Sequence, residues 1–341
     1  MKTCTAVVVT ALSVAGLTAC SSDTGSTDTG STAAAGLSDT AAPRISHGAA
    51  PECPALPTFD TPPEKVVTLD TAAAAVLVEL GVGDRIVGTA GDDYTADFRD
   101  SAQFPDLYDT LAGLPDLDKE GRGNKEKVIA AQPQLVTGIS AYALGSFAGT
   151  ASESELADNG IHGYVACPDE SGPVTDFSAT DDYIRGLGAI FDVPDKADAL
   201  IDRLHDSLPD TGTSGVPVLV LASVPEGGQD IRTRGAGTTA NAVVTVAGGR
   251  NIGADAPGSM TSFSAEAVAE KNPEVIVVAT GLSPQSPDEM VDAVTSSPLL
   301  QSTDAVRNGR VIAVPQTEML SPGLLNSEAA ARIADAVGEV K

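Results

Sequence analysis

The sequence predicts an α/β protein built from two αβ lobes with mainly parallel sheets. Short β-rich runs alternate with helical stretches from residue 66 onward, which is typical of parallel strands covered by helices. The chain has 341 residues, enough for two domains of ordinary size. A helical pattern at 178–208, interrupted only around Pro194, separates two αβ series. We expect it to join the lobes as one long, rigid helix.

The first series of elements lies between residues 66 and 166. Buried β-rich runs predict strands, whereas Ala-rich or capped runs predict helices. Asn124 is a predicted helix N-cap, and Pro133 ends the same helix because proline lacks the amide that would continue it. The predicted strands are 66–69, 85–89, 135–138 and 164–166, and the predicted helices are 71–80, 125–132 and 153–158.

The second series begins at residue 218 and repeats part of the first. Its predicted strands are 218–222, 275–279 and 310–314, and its predicted helices are 239–246, 264–270, 288–294 and 325–340. Glu126, Val128 and Pro133 recur 140 positions later as Glu266, Val268 and Pro273. Although a helix, a proline and a strand follow one another in many α/β proteins, the shared spacing favours a duplicated lobe. Open αβ sheets bind ligands where strand carboxyl ends meet, so we expect a binding crevice between the lobes.

The N-terminal region is predicted to be processed rather than folded. Lys2 precedes a short apolar run at 6–17, which is the layout of a signal peptide at 1–19. The run that ends at Cys20 resembles the lipobox of bacterial lipoproteins, in which this cysteine is lipidated; a plain signal peptide is the alternative. Residues 20–51, rich in Ser, Thr, Gly, Asp and Ala, predict a disordered tether that holds the protein at the outer face of a bacterial membrane.

Charge and cysteine content narrow the function classes. With 20 Lys and Arg against 47 Asp and Glu, the chain is a poor nucleic-acid binder, because that affinity needs basic side chains. Cys4 leaves with the signal and Cys20 takes lipid, so Cys53 and Cys167 remain. An even number in an exported protein indicates a disulfide, and a metal pair is the weaker alternative because no His or further cysteine accompanies it.

The sequence offers no cofactor, metal or catalytic constellation. His47, His162 and His205 have no metal-ligand spacing, and no nucleophile stands beside a base. The run 235–240 imitates a dinucleotide fingerprint, but the charged segment before it is unsuited to a buried parallel strand. We interpret the run as a glycine turn that opens a helix, and we predict that the protein is not an enzyme.

An ordered set of short motifs resembles the substrate-binding proteins of ABC importers for ferric siderophores, cobalamin and haem. The motifs are Pro-Glu-Lys-Val-Val-Thr-Leu at 63–69, Leu-Gly-Val-Gly-Asp-Arg-Ile-Val-Gly at 80–88, Asn-Lys-Glu at 124–126, Gln-Pro-Gln-Leu-Val at 132–136, Ala-Gly-Gly-Arg-Asn-Ile at 247–252, Asn-Pro-Glu-Val-Ile at 272–276 and Val-Arg-Asn-Gly-Arg-Val at 306–311. The resemblance implies two Rossmann-like lobes joined by one long helix, with little closure on binding. The Cys53 and Cys167 pair also resembles a disulfide of a lipid-anchored subgroup.

The resemblance further implies which loops meet the ligand and the permease. In the family, ligand contacts follow the strands that face the crevice. Here those residues are Asp70, Thr71, Asp92, Asp93, Tyr94, Arg122, Ser140 and Tyr142 in the first lobe, and Arg232, Arg234, Met260, Thr261, Ser262 and Thr317 to Met319 in the second. Family members dock a surface Glu of each lobe on the permease. Glu153 or Glu155 fits in the first lobe, but the second-lobe segment 242–246 has no Glu.

Two residue pairs carry the ligand hypothesis. Arg232 and Arg234 alternate, so they share one face and could clamp an anion such as a siderophore carboxylate or a corrinoid phosphate; a solvated edge paired with local Asp is the alternative. Tyr94 and Tyr142 could line the crevice or pack on the core. Because basic residues are few, a hydroxamate or mixed ferric siderophore is favoured over a tris-catecholate. A corrinoid, a cofactor precursor, an exported enzyme and a surface module without a small ligand remain as alternatives.

We therefore predict a monomeric, lipid-anchored, extracytoplasmic binding protein that delivers its chelate to an ABC permease. The predicted regions are a signal peptide at 1–19, a tether at 20–51, a first lobe at 52–175, a linker helix at 176–210 and a second lobe at 211–341.

Overall fold

The computed structural model describes residues 53–118, 124–145, 149–167, 172–212, 214–227, 229–256 and 258–340. The predicted signal peptide, Cys20 and the tether lie outside these residues. Within the described parts of the chain, no helix combines the length and the apolar character needed to cross a membrane.

The first lobe is a parallel four-stranded sheet in the order β2-β1-β3-β4. Its strands are β1 Val66–Asp70, β2 Ile86–Asp92, β3 Leu135–Gly138 and β4 His162–Val165, and its helices are α1 Thr71–Glu79, α2 Leu107–Ala112, α3 Lys125–Ala130 and α4 Glu153–Asp158. Successive side chains of β1 enter different cores, because neighbouring residues of a strand point to opposite faces. Val66 joins a core with α1, and Val67 joins one with Val128 of α3.

The segment between the lobes contains two helices rather than one long helix. These are α5 Ser178–Ile190 and α6 Pro194–Asp206. The helix breaks because Asp192 adopts a left-handed conformation with φ 55°, and Pro194 then starts the next helix. Apolar side chains of both helices pack into the first-lobe core beside α1. The connection is therefore a packed layer of the first lobe.

The second lobe contains a six-stranded mixed sheet in the order β10-β9-β5-β6-β8, with β7 also paired to β5. The strands are β5 Val216–Leu221, β6 Ile231–Arg234, β7 Gly249–Asn251, β8 Met260–Phe263, β9 Val275–Thr280 and β10 Val311–Pro315. The helices are α7 Thr239–Val246, α8 Ala265–Lys271, α9 Pro287–Ser296, α10 Asp304–Arg307, α11 Gln316–Met319 and α12 Asn326–Gly338. Strand β6 pairs antiparallel with both β5 and β8, and the other pairs are parallel. The predicted mixed αβ architecture is confirmed.

A disulfide joins Cys53 to Cys167, with a Cα–Cα distance of 6.0 Å. It confirms the predicted pairing and attaches the extended N-terminal segment just beyond the end of β4. Phe59 of that segment packs edge-on against the His162 ring, with the centroids 5.0 Å apart. Covalent and aromatic contacts thus hold the start of the folded region to the edge strand of the first lobe.

Candidate functional site

The end of β1 is a structural junction. Asp70 is buried, and its two carboxylate oxygens accept hydrogen bonds from the amides of Ala73 at 2.6 Å and Ile139 at 2.9 Å. It therefore caps α1 and ties β1 to the loop after β3. Burial raises the pKa of Asp70 to about 6, against the lowering effect of these amide donors. We retain Asp70 as a cap rather than as a ligand contact.

The loop after β2 carries several of the predicted side chains together. The Thr71 hydroxyl accepts a hydrogen bond from the Tyr94 amide at 2.7 Å, and the Tyr94 hydroxyl donates to Asp92 at 3.1 Å. Asp93 accepts from the Thr95 amide at 2.9 Å. Burial, followed by the charges of Asp92 and Asp70, raises the pKa of Tyr94, so its hydroxyl stays protonated and donating. These contacts order the loop at the carboxyl end of the strand.

A cavity of about 400 Å³ opens beside this loop. Its lining is rich in carboxylates and hydroxyls, and comprises Thr71, Thr89, Gly91, Asp92, Asp93, Thr95, Ala96, Arg99, Tyr108, Leu111, Ala112, Leu114, Asp116 and Asp118. All of these residues belong to the first lobe. This first-lobe cavity is therefore predominantly acidic and polar.

The second-lobe wall contributes the two arginines. Arg234 at the end of β6 is largely buried, and its Nε atom has no hydrogen-bond partner among the described residues. Burial lowers the pKa of Arg234, and the neighbouring charge of Arg232 lowers it further. Tyr142, in the loop after β3, has the opposite effect on that pKa, so it lies within electrostatic reach of the guanidinium. Tyr142 and Arg234 thus approach each other from different lobes.

Strand β8 extends the arginine face. Met260 lies directly opposite Arg234 in the antiparallel pairing, and Ser262 lies opposite Arg232. Directly paired residues project from the same face of a sheet, so Met260 and Ser262 accompany the arginines. Thr261 pairs with Thr233, which is fully buried, and so belongs to the other face. Arg232 is exposed, which leaves Arg234 as the desolvated member of the pair.

Two of the remaining predicted residues, Ser140 and Met319, have structural roles rather than a place at the ligand. Ser140 accepts a hydrogen bond from the Tyr142 amide at 3.3 Å, so it shapes the loop that carries Tyr142. Met319 is completely buried in a second-lobe core with Val314 and Ala330, and we exclude it as a ligand contact. Residues 316–318, just before Met319, are polar, so the sequence did not indicate that the Met319 side chain is buried. Arg122 lies outside the described residues.

The two predicted docking carboxylates differ in their surroundings. Glu155 accepts a hydrogen bond from Lys125 at 2.7 Å and completes a capping box with Ser152 at the start of α4. Lys125 and then Ser152 lower the pKa of Glu155 to about 2. Glu153 is exposed. Glu155 thus stabilises its own helix, and Glu153 presents its carboxylate outward.

The glycine-rich run after β6 does not form a phosphate cradle. The Gly235 amide donates to the Ser259 carbonyl at 3.0 Å, and the Gly237 amide donates to the Gly258 carbonyl at 3.2 Å. A Cβ on Gly235 would lie 2.2 Å from the Gly258 carbonyl oxygen, so only glycine fits there. The run follows strand β6, but its glycines allow close backbone packing and the amides of Gly235 and Gly237 are already hydrogen-bonded.

Asp97, Ser101 and Glu328, which the sequence analysis missed, join the lobes together with the predicted Thr317. Asp97, in the 3₁₀ turn Thr95–Phe98, accepts a hydrogen bond from Thr317 of α11. Ser101 donates to Glu328 of α12 at 2.5 Å. These partners are 220 and 227 residues apart, so no local pattern marks them. Among the described residues, no three His, Cys, Asp or Glu side chains are grouped so that they could hold a metal ion.

Comparison with known proteins agrees with this architecture. A model of the periplasmic binding protein family matches residues 66–318. A cobalamin-binding protein of Halobacterium salinarum is 27% identical over 286 residues, covering 82% of this chain and 70% of that protein. A Bacillus subtilis protein described as an uncharacterised ABC transporter substrate-binding lipoprotein is 25% identical, covering 66% of each chain. The crystal structure of an ABC-type Fe³⁺-hydroxamate transport system from Saccharomonospora viridis superposes with a TM-score of 0.65 at 27% identity, covering 82% of this chain and 95% of that one.

Proposed function

We propose a function from the premise that this chain belongs to the periplasmic binding protein family. The protein is the substrate-binding protein of an ABC importer, and it captures a ferric siderophore of hydroxamate or mixed type. The named relatives are binding and transport proteins, which supports a solute that is held and released without chemical change. The ligand would lie between the lobes, against the β1, β2 and β3 loops on one side and the β6 and β8 strands on the other.

The observation that carries this proposal is the state of Arg234. The residue is partly buried, its buried Nε atom has no hydrogen-bond partner, and no ion pair joins it to a carboxylate of the described residues. A buried charge without a partner is unfavourable, so a binding site gains affinity when the ligand supplies the missing acceptor. Arginine donates paired hydrogen bonds well matched to the two oxygens of a hydroxamate or a carboxylate.

The acidic side chains of the first-lobe cavity favour some classes of iron chelate over others. The cavity of the first lobe is lined by Asp92, Asp93, Asp116 and Asp118, with Arg99 as its basic residue. A tris-catecholate complex carries several negative charges, which these carboxylates would repel. A ferric hydroxamate has a nearly neutral metal centre and exposes only a few charged oxygens. The walls together therefore favour the hydroxamate or mixed chelate, as does the named function of the Saccharomonospora viridis relative.

Cobalamin is a second candidate, because the Halobacterium salinarum relative is a cobalamin-binding protein that matches most of this chain. A corrinoid would present its phosphate to Arg234 in the same way. The two candidates differ in whether affinity depends on iron and in ligand size.

Isothermal titration of the purified full-length chain distinguishes these ligands. The probes are a ferric trihydroxamate, a ferric tris-catecholate, cyanocobalamin and haem. We expect the trihydroxamate to bind most tightly, and Arg234→Gln to weaken that binding at least tenfold, since a charge-assisted hydrogen bond contributes about 1.5–3 kcal/mol. Arg185→Gln, at a half-exposed arginine of α5, is the matched control and should bind like the wild type. Tightest binding of cyanocobalamin would favour the second candidate, and binding of none of the probes would contradict both.

We propose two further contacts with the cell. Glu153 is the first-lobe carboxylate that docks to the permease, since it is exposed whereas Glu155 is engaged with Lys125. Exchange of Glu153 for Gln should reduce uptake without changing affinity in solution, and Glu126→Gln on the exposed surface of α3 is the control. Lipidation at Cys20 is supported by the description of the Bacillus subtilis relative as a lipoprotein. Loss of membrane association in Cys20→Ala would test it.

A further inference from the structure

The lobes meet along a polar seam that lies beside the ligand cleft. We define the seam by Asp97, Ser101 and Gln103 of the first lobe and Thr317, Ser327 and Glu328 of the second. Thr317 donates to Asp97, Ser101 donates to Glu328 at 2.5 Å, and the Gln103 side chain exchanges hydrogen bonds with Ser327 at 3.1 and 3.2 Å. Thr95 and Ala96, which precede Asp97, line the cavity. Movement at the seam therefore reaches the cleft.

Glu318 is a carboxylate buried directly behind this seam. It is 3% exposed and lies on α11 next to Thr317. Its Oε2 is 2.9 Å from Arg332 of α12. Burial raises the pKa of Glu318 to about 7, and the like charges of Glu328 and Asp97 act in the same direction against Arg332. The pKa of Asp97 is also raised, by burial and by Asp93.

The charges that face Glu318 come from both lobes. Helix α12 contributes Arg332 and Glu328, and the first lobe contributes Asp97. The other elements packed against α11, namely α7, β9 and β10, contain no ionisable side chain. When ionised, Glu318 and Glu328 of one lobe thus approach Asp97 of the other, with Arg332 as the compensating cation. His205 of α6 is a separate titratable group, which pairs with Asp181 at 2.9 Å and lies near Ser327.

We infer that the seam is a proton-operated latch between the lobes: a proton on Glu318 tightens it, and loss of that proton loosens it and widens the adjoining cleft. The physical reason is the like-charge repulsion between Asp97 and Glu318, which disappears when Glu318 is neutral, whereas Glu328 keeps its charge. Burial is the main cause of the raised pKa of Glu318, and the part due to Asp97 of the other lobe couples that proton to the seam; this coupling favours the closed seam at low pH and is lost as the pH rises through about 7. Acidification therefore holds the lobes together and neutral-to-alkaline conditions release them. This regulation goes beyond the proposed function and requires no ligand.

Hydrogen–deuterium exchange of the ligand-free, full-length protein at pH 6 and pH 8 tests the latch. Rates are corrected for the intrinsic pH dependence of amide exchange. In the wild type we expect amides of residues 97–104 to be protected about fivefold more at pH 6 than at pH 8, the size of one fully solvated like-charge contact. Glu318→Gln imitates the protonated side chain, and should show the high protection at both pH values. Asp97→Asn removes the facing charge and decides the question if the first variant does not fold.

Two controls assign the effect to Glu318. Glu270→Gln, on the exposed surface of α8, should keep the wild-type difference between the two pH values. His205→Gln should keep it too. The latch is refuted by equal protection of the wild type at both pH values. It is also refuted if the difference in protection between pH 6 and pH 8 persists in Glu318→Gln or Asp97→Asn, whichever of them folds. Loss of that difference in His205→Gln refutes it as well. Because no ligand is added, these outcomes are independent of whether the chelate binds.

Discussion

The two lobes repeat one αβ unit and differ in the loops at its edge. In the first lobe Asn124 caps α3, and in the second Ser264 caps α8, 140 residues later. Each helix ends in a left-handed residue followed by proline, with φ 48° at Gln132 and 39° at Asn272, and then enters a buried central strand. This left-handed residue ends the helix, and the proline prevents its continuation. The repeated frame is therefore set by short-range chemistry.

The chemistry around the frame is different in each lobe. The loop after β2 presents Asp92 and Asp93, whereas the second lobe inserts the antiparallel pair β6 and β8 and presents Arg232 and Arg234. The first lobe alone contains the described disulfide. The comparison teaches that the repeat supplies a scaffold, and that unequal insertions give its two sides opposite charge. Four measurements test this comparison of the two lobes.

The largest expected effect is loss of the disulfide. Cys53→Ser should lower the free energy of unfolding by about 4 kcal/mol, because the bridge closes a long loop in the unfolded chain. Urea denaturation measures the loss, and limited proteolysis should find the new cleavage sites in the first lobe. Wild-type protein under reducing conditions is the control and should behave alike. An unchanged urea midpoint would mean that the N-terminal segment is held without the bridge.

The next effect concerns the buried cap of β1. Because the pKa of Asp70 is raised to about 6, its protonated form stabilises the folded state, and this contribution is lost as the pH rises from about 4 through 6. The free energy of unfolding of the wild type relative to Asp70→Asn should therefore fall by about 2–3 kcal/mol between pH 4 and pH 7. Denaturation of both proteins across that range measures the difference. A constant difference would contradict the assignment.

The matched core valines test the equivalence of the lobes directly. Val128 and Val268 are both fully buried at corresponding positions of α3 and α8. Val→Ala at either position should destabilise the protein by about 2 kcal/mol through lost burial and the cavity left behind. Thermal and urea denaturation should give values within about 1 kcal/mol of each other. A larger difference between the two losses in free energy of unfolding would show that α3 and α8 contribute unequally to stability.

The smallest expected effect concerns the capping boxes. Ser152 with Glu155 and Ser286 with Glu289 cap α4 and α9, which occupy corresponding places in the lobes. Ser→Ala at either cap should lower the free energy of unfolding by about 1 kcal/mol. Ser302→Ala, at an exposed serine outside both capped helices, is the control. A markedly larger effect for Ser152 would show that the Lys125 contact of Glu155 depends on the cap.

Prediction from the sequence succeeded where the signal was local. The helix predicted at 71–80 is α1 Thr71–Glu79, and the strand predicted at 275–279 is β9 Val275–Thr280. Prediction was less complete where tertiary contacts compete with local pattern. Strand β8 follows a segment with glycines, contains the exposed Ser262 and has no strong strand periodicity. It forms because β6 pairs with it. The interruption noted around Pro194 did not by itself indicate two separate helices, since apolar side chains of α5 and α6 both enter one core.

Local chemistry and composition are sufficient to specify the αβ alternation, the helix caps, the paired cysteines and the charge of the chain. Each of these depends on residues close together along the chain or on composition. Only the tertiary structure decided that Asp70 and Met319 are buried, that Tyr142 approaches Arg234, and that Asp97 meets Thr317. The physical reason is separation: partners 220 residues apart are brought together by the packing of whole lobes, and no local periodicity encodes that distance.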